Sequence, residues 1–129
     1  MKRLASVFML LAACGAAVIP SAAAAAPGAR LRGLDKISGQ ARDFAAPINA
    51  TVKFGELEIT VRACAQTPPE EQPPEASAYV EVRQPKAAAA ANAAAARAPV
   101  FQGWMFASSP ALNALEHPSY DIWVISCTS

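Results

Sequence analysis

The sequence predicts a single small all-β domain: an antiparallel sandwich or partly open barrel of about five or six strands, with one short helix and a disulfide bridge. Three observations support this fold class. Apolar and polar residues alternate over several short segments, with the period of a half-buried strand. Proline, glycine and acidic residues separate these segments. Two cysteines remain once a predicted leader is removed, and an even number in a short exported chain indicates a disulfide.

The first 26 residues have the composition of a secretory signal peptide. Lys2 and Arg3 form a positive start, residues 4–19 an apolar segment, and residues 21–26 a run of small residues suited to cleavage. We expect a mature chain of residues 27–129, enough for one domain. The rest of the chain has neither the concentrated basic patch of a nucleic-acid-binding protein nor the apolar run of about 20 residues that a transmembrane helix needs.

Cys14 lies in a motif that predicts a different cleavage site for the leader, with lipid attachment to the cysteine. Residues 11–15, Leu-Ala-Ala-Cys-Gly, look like a lipoprotein cleavage box in which Cys14 would become the acylated N-terminus. The apolar run continues past this cysteine to Ile19, whereas lipoprotein signals usually end there. We therefore expect soluble export to the periplasm, with an outer-membrane lipoprotein as the alternative.

Cys64 and Cys127 are the thiols of the mature chain. We expect them to form a disulfide because exported proteins fold in an oxidising compartment. Closing a segment of about 60 residues should stabilise the fold by roughly 4 kcal/mol on the chain-entropy model. The bridge would also hold the end of the chain, where fraying is otherwise expected.

Residues 27–33 predict a flexible lead-in to a domain that spans residues 34–129. Apolar residues alternate from Thr51 onward, and the alternation changes parity across Gly55 and Glu56. Either one strand bulges at Gly55 or the two residues form a hairpin turn. We prefer the hairpin because it pairs chemically matched residues. These pairs are Phe54 with Leu57, Lys53 with Glu58, and Val52 with Ile59.

Two segments are predicted to lie outside the strands. Residues 65–76 carry two proline pairs and three glutamates, which indicates an extended polar loop. A partner-binding polyproline segment is its functional interpretation, and a solvated connector the simpler one. After a strand at residues 77–84, residues 86–98 form an alanine-rich insertion. Because it has no large apolar residue to bury, we expect it to be mobile and only partly helical.

The C-terminal part predicts two strands and a helix. Residues 100–107 and 121–127 are apolar on both faces, so we expect them in the middle of the sheet system. Between them, Ser109 is a good N-cap and is followed by a proline. A helix of about two turns should follow, with Leu112 and Leu115 facing the core.

One set of residues has the composition of a hydrolase site. Ser108 or Ser109 could act as a nucleophile, His117 as its base and Asp121 as the group that orients the base. Helix capping, a helix end and a strand start explain the same residues, so we assign no catalytic residue.

Cofactor and ligand sites are equally unsupported by the sequence. A single histidine cannot supply a closed metal site, and there is no glycine-rich phosphate loop, so we predict neither metal nor cofactor. Four aromatic residues near the C-terminus could line a pocket, although at this spacing in strands they more often belong to the core. They are Trp104, Phe106, Tyr120 and Trp123.

Two blocks of the chain resemble a known bacterial family. Residues 54–64 (FGELEITVRAC), residues 103–118 (GWMFASSPALNALEHP) and the following Tyr120-Asp121 are similar to the family called domain of unknown function 2155. The resemblance covers residues 34–127, apart from the alanine-rich residues 87–98. It implies a small exported protein of Gram-negative bacteria in a periplasmic setting. It brings no activity, ligand or catalytic residue.

These observations lead to two functional hypotheses. The first is a non-catalytic module of the cell envelope that binds an envelope protein or a cell-wall component. The second is a small periplasmic hydrolase or transferase that uses Ser109 or Ser108 with His117. We expect no nucleic-acid partner, and membrane attachment only if Cys14 is lipidated.

Overall fold

Seven strands and one short helix make up the part of the chain that the computed structural model describes, residues 27–86 and 91–129. The strands are β1 (Gly28–Asp35), β2 (Gln40–Pro47), β3 (Thr51–Phe54), β4 (Leu57–Gln66), β5 (Ala76–Arg83), β6 (Phe101–Phe106) and β7 (Tyr120–Thr128), and the helix α1 spans Ala93–Arg97. The predicted leader and Cys14 lie outside the described residues.

The strands form two antiparallel sheets, one in the order β2-β1-β7 and the other in the order β3-β4-β5-β6. A single parallel bridge between Ile48 and Val61 connects the end of β2 to β4, but the described sheets do not close into a barrel. The predicted all-β fold class is confirmed in its sandwich form. Among the described residues, no helix has the length and apolar character needed to span a membrane.

The core lies between the two sheets, and strand alternation decides which side chains enter it. In β5, Ala76, Ala78, Val80 and Val82 are buried, whereas the residues between them are partly exposed. This is the period of two expected for a strand with one buried face. The largest fully buried side chains come from both sheets. They are Leu31 and Val124 from the first sheet, and Leu57, Ile59, Val61, Val80 and Val82 from the second.

The β3–β4 hairpin is present with the predicted turn at Gly55-Glu56. Gly55 has a φ of +57°, which favours glycine because side chains clash in the left-handed region. The three predicted pairs are also confirmed: Phe54 with Leu57, Lys53 with Glu58, and Val52 with Ile59. The alternative of one strand with a bulge at Gly55 does not occur. Strand β4 does contain a shift in register, but it lies between Val61 and Ala63.

From residue 28 onward, the lead-in predicted over residues 27–33 is instead part of β1, the central strand of its sheet. Arg30 and Arg32 face outward and pair with Asp43 of β2, while Ala29, Leu31 and Gly33 are buried. The alternation is therefore real. It is hard to recognise because three of the four buried residues of β1 are glycine or alanine, which are weak strand formers.

The predicted central placement of residues 100–107 and 121–127 is wrong. Strand β6 is the edge of the four-stranded sheet, and β7 is the edge of the three-stranded sheet. Their second apolar faces are not buried in a sheet stack: Trp104 remains 40% exposed and packs edge-on against Tyr79, with ring centroids 5.6 Å apart. Aromatic residues on an outer sheet face can therefore imitate the pattern of a strand buried on both sides.

The helix predicted over residues 110–116 is also absent. The segment makes one turn, in which the Leu112 N–H donates to the Ser109 carbonyl (3.0 Å), and then runs on without regular structure. Leu115 is 3% exposed and Leu112 is 71% exposed, so the core takes only one of the two leucines. A helix would have presented both on one face. The one described helix of at least one turn is α1, in the alanine-rich insertion, capped by the Asn92 side chain.

The disulfide between Cys64 and Cys127 is present and joins the two sheets. Cys64 lies in β4 and Cys127 in β7, with 5.8 Å between their Cα atoms. The last strand is thus covalently tied to the opposite sheet, as expected from the sequence. Nearby, the predicted polar loop is confined to residues 67–75, and it is closed at its base by hydrogen bonds between Thr67 and Glu75.

Candidate functional site

The two candidate nucleophiles do not contact the histidine. The Ser108 hydroxyl donates to Glu75 Oε2, and the Ser108 N–H donates to Glu75 Oε1 (3.1 Å). These bonds lower the pKa of the Glu75 carboxyl, which makes it a poorer base. Ser109 takes part in the turn through its main chain, with its N–H donating to the Phe106 carbonyl (3.3 Å).

His117 is held by hydrogen bonds at both ring nitrogens. Its Nδ1 accepts from the N–H groups of Ser119 (3.0 Å) and Tyr120 (3.2 Å). The proton must then be on Nε2, which donates to Gln84 Oε1 (2.8 Å). Neither ring nitrogen therefore has a free lone pair with which to accept the proton of a serine hydroxyl. The ring instead fixes the chain where β7 begins.

Asp121 forms an ion pair with Lys36 (2.9 Å) rather than a contact with His117. Lys36 Nζ also donates to the His117 carbonyl (2.8 Å), and the Lys36 N–H donates to the Ser119 carbonyl (2.9 Å). Lys36 thus connects the turn of the β1–β2 hairpin to the start of β7. The serine, histidine and aspartate considered from the sequence are not assembled as a catalytic triad.

A different site lies at this same end of the sandwich. The β1–β2 hairpin, the Gly55 turn and the first residue of β7 surround a cleft of about 200 Å³. Its main lining residues are Asp35, Ser38, Gln40, Arg42, Phe54 and Tyr120. Three chain segments that are distant in sequence therefore contribute to one concave surface.

Aromatic rings form the apolar part of this cleft. Phe54 stacks on Phe44 with centroids 5.5 Å apart, and it meets Tyr120 edge-on at 5.9 Å. The Phe54 ring lies directly against Gly33, where a Cβ atom would come within 2.5 Å of it. The Tyr120 ring lies in the same way against Gly55, where a Cβ atom would be 2.6 Å away. Both ring positions depend on a backbone without side chains.

Two opposite charges line the cleft without forming an ion pair with each other. Asp35 Oδ1 accepts from the N–H groups of Ile37 (2.9 Å) and Ser38 (3.1 Å), and these bonds lower the pKa of the Asp35 carboxyl. Arg42 lies over the Phe54 ring, with its guanidinium carbon 5.2 Å from the centroid. Within residues 27–86 and 91–129, Arg42 makes no ion pair and no side-chain hydrogen bond.

From the sequence, four aromatic residues are candidates for a pocket lining, although a core position is favoured for them; of the four, Tyr120 lines this cleft. Trp104 and Phe106 lie on β6, and Trp123 lines a second cleft of about 220 Å³ beside Pro110 and Leu115. Sequence reasoning missed Asp35, Arg42 and Phe54 as site residues. The turn between Asp35 and Gln40, with a glycine at its end, was the signal that could have revealed the hairpin and hence the cleft.

The described residues contain no group of three or more His, Cys, Asp or Glu side chains arranged to hold a metal ion. Fold and site together define a small disulfide-bridged β-sandwich with an aromatic cleft at one end. The chain belongs to domain of unknown function 2155, a family described as uncharacterized protein conserved in bacteria, whose model matches residues 29–127. Neither the curated proteins nor the solved structures contain a match to the chain.

Proposed function

We propose that the protein is a non-catalytic binding module of the bacterial cell envelope that acts in the periplasm. The observation that carries this proposal is the open cleft in which an unpaired Arg42 lies over Phe54 beside Tyr120. Concave sites with aromatic walls and a few convergent polar groups are the usual form of a ligand site. The predicted leader and the disulfide support a place outside the cytoplasm.

The hydrolase or transferase alternative has no geometric support. A serine nucleophile needs a base within hydrogen-bond reach, and both ring nitrogens of His117 are engaged elsewhere. Ser108 is bonded to Glu75, whose lowered pKa does not favour proton abstraction. The partner we propose for the cleft is an envelope protein or a cell-wall component.

The location is tested by fractionating cells that express the full chain and by determining the mature N-terminus. We expect the protein in the periplasmic fraction with a free N-terminus near Pro27. A diacylglyceryl group on Cys14 would instead identify an outer-membrane lipoprotein, and retention in the cytoplasm would contradict the proposal.

The binding role is tested by placing a photoreactive side chain at the cleft in living cells. A photoreactive residue at Gln40, which lines the cleft, should give a discrete crosslink to one envelope component. The matched control carries the same residue at Arg97, an exposed position in α1 that does not line the cleft. Equal crosslinking at both positions, or at neither, would contradict a binding role for the cleft.

A further inference from the structure

We propose that the cleft binds the carboxylate of a singly charged ligand whose apolar part rests on Tyr120. This inference rests on the proposed binding function and specifies the chemical class of the ligand. Its central group is the guanidinium of Arg42, which is held over the Phe54 ring and lacks an anionic partner among the described residues.

The guanidinium is suited to a carboxylate by its geometry. It presents N–H donors in a planar fork that matches the two oxygens of a carboxylate. Contact with the face of Phe54 restricts the side chain, so less conformational freedom is lost when a ligand binds. The Tyr120 hydroxyl also has no hydrogen-bond partner within the described chain and can donate to the same anion.

The volume of the cleft limits the size of the group that enters it. Sites for drug-sized ligands start at about 300 Å³, whereas this cleft measures about 200 Å³. It therefore fits a single acylated amino acid or the last residue of a peptide. The apolar side chain of such a group can cover the Tyr120 ring, and its carboxylate can reach Arg42. Phe54 is 5% exposed and supports Arg42 and Tyr120 from beneath.

The charge of the cleft selects for a single negative charge. Asp35 also lines it and remains ionised at neutral pH, because two N–H groups stabilise its carboxylate. One cation and one carboxylate leave the cleft without net charge, so it has little attraction for a doubly charged anion such as phosphate. A monocarboxylate that pairs with Arg42 and keeps its apolar side toward Tyr120 avoids repulsion from Asp35.

The test is a titration of the oxidised protein, expressed as the full chain, followed by NMR shifts of the cleft residues. The probe is N-acetyl-leucine, and the matched control ligand is N-acetyl-leucine amide, which has the same apolar part without the charge. Inorganic phosphate tests for a general anion site. We expect shifts around Arg42 and Tyr120 with N-acetyl-leucine only. Equal binding of the amide, or tighter binding of phosphate, would overturn the proposal.

Substitutions of Arg42 test whether its guanidinium binds the carboxylate. Arg42→Gln should weaken N-acetyl-leucine binding by about ten-fold or more, since a hydrogen bond to a charged group is lost. The affinity of Arg42→Lys for N-acetyl-leucine should lie between those of the wild type and Arg42→Gln, because an ammonium keeps the charge but lacks the planar fork. Arg97→Gln makes the same change outside the cleft and should bind normally. Unfolding midpoints of all variants should match the wild type, and normal binding by folded Arg42→Gln would refute the assignment.

A short peptide that ends in leucine distinguishes the two sources of such a carboxylate. Binding of the free-acid peptide but not of its C-terminal amide would identify a chain terminus as a ligand. Binding of N-acetyl-leucine alone would identify a small metabolite. If crosslinking at Gln40 succeeds and no carboxylate binds, only the ligand assignment fails. If crosslinking fails while N-acetyl-leucine binds through Arg42, the envelope partner is wrong and the carboxylate site stands.

Discussion

At the scale of single residues, two glycines with positive φ differ in the space that is available for a side chain. Gly39 has a φ of +74° and open space around its Cα, whereas Gly55 has a φ of +57° and lies against the Tyr120 ring. Alanine at either position must adopt left-handed backbone, which costs roughly 1–2 kcal/mol. Only at Gly55 would the new methyl group also displace a side chain of the cleft.

We predict that Gly55→Ala destabilises the protein more than Gly39→Ala. The extra cost should be about 1–3 kcal/mol, as for overpacking of a filled site. Denaturant unfolding of the two variants measures the difference, and the backbone strain common to both largely cancels. Gly55→Ala should also shift the Tyr120 ring resonances and reduce binding in the cleft. Equal destabilisation by the two substitutions would mean that Tyr120 does not lie on Gly55.

His117→Ala should lower the free energy of unfolding rather than remove an activity. The substitution leaves the N–H groups of Ser119 and Tyr120 without their acceptor, and it removes the bond to Gln84. For partly buried groups we expect a loss of about 1–3 kcal/mol. Ser109→Ala is the control, with an expected change within about 0.5 kcal/mol for an exposed residue whose hydroxyl makes no hydrogen bond within the described residues. Unchanged stability of His117→Ala would refute the structural role.

At the scale of elements, the hydrogen bonds from Ser108 to Glu75 join the polar loop to the end of β6. Because the folded-state pKa of Glu75 is lowered, its contribution to stability is complete above the ordinary carboxyl pKa. That contribution is lost as the pH falls through the lower folded pKa. We predict that Glu75→Gln weakens the dependence of stability on acid pH.

Denaturant unfolding between about pH 5 and pH 2 covers the range of the ordinary and lowered carboxyl pKa values. The wild type should lose more stability than Glu75→Gln over this range, with a remaining loss from Asp35 and Asp43, whose pKa values are also lowered. Ser109→Ala should behave like the wild type. Parallel acid curves for the wild type and Glu75→Gln would show that the Ser108 contact does not bias the titration of Glu75.

Local chemistry predicted the β3–β4 hairpin well because its turn and its pairs are encoded by adjacent residues. The segment from residue 110 to residue 116 was predicted as a helix on equally good local signals, a cap and a proline. Its conformation is decided instead by two distant contacts. Leu115 enters the core, and the Asn113 side chain donates to the Trp104 carbonyl at the edge of β6 (2.8 Å). Both contacts override a helix propensity worth only tenths of a kcal/mol per residue.

At the scale of the whole molecule, the disulfide is the covalent link between the sheets. Cys64 and Cys127 are separated by 63 positions in the sequence. We predict that the double variant Cys64→Ser/Cys127→Ser loses about 4 kcal/mol of unfolding free energy, mainly because its unfolded chain is less constrained.

Unfolding in denaturant with and without a reductant provides the measurement and its control. The reduced wild type should match the double variant, and the reductant should leave the double variant unchanged. A loss below about 1 kcal/mol would mean that the packed sheets hold the last strand without the bridge.

The candidate cleft could not be predicted from the sequence because its residues come from distant segments of the chain. Asp35 and Arg42 come from one hairpin, Phe54 and Gly55 from a second, and Tyr120 from the last strand. Each residue has an ordinary explanation within its own segment. Only the packing of the two sheets brings them to one end, where Gly33 and Gly55 leave room for the rings.

Four features follow from the order of the residues: the all-β class, the Gly55 hairpin with its register, the pairing of the two cysteines and membership of the family. These depend on neighbouring residues, on a count of thiols or on long similar blocks. Three others come from the packing of the folded chain: β1 is a central strand, β6 and β7 are edges, and His117 and the two serines have separate partners. Those outcomes depend on which faces are covered, and burial of a face is a property of two packed sheets rather than of any one segment.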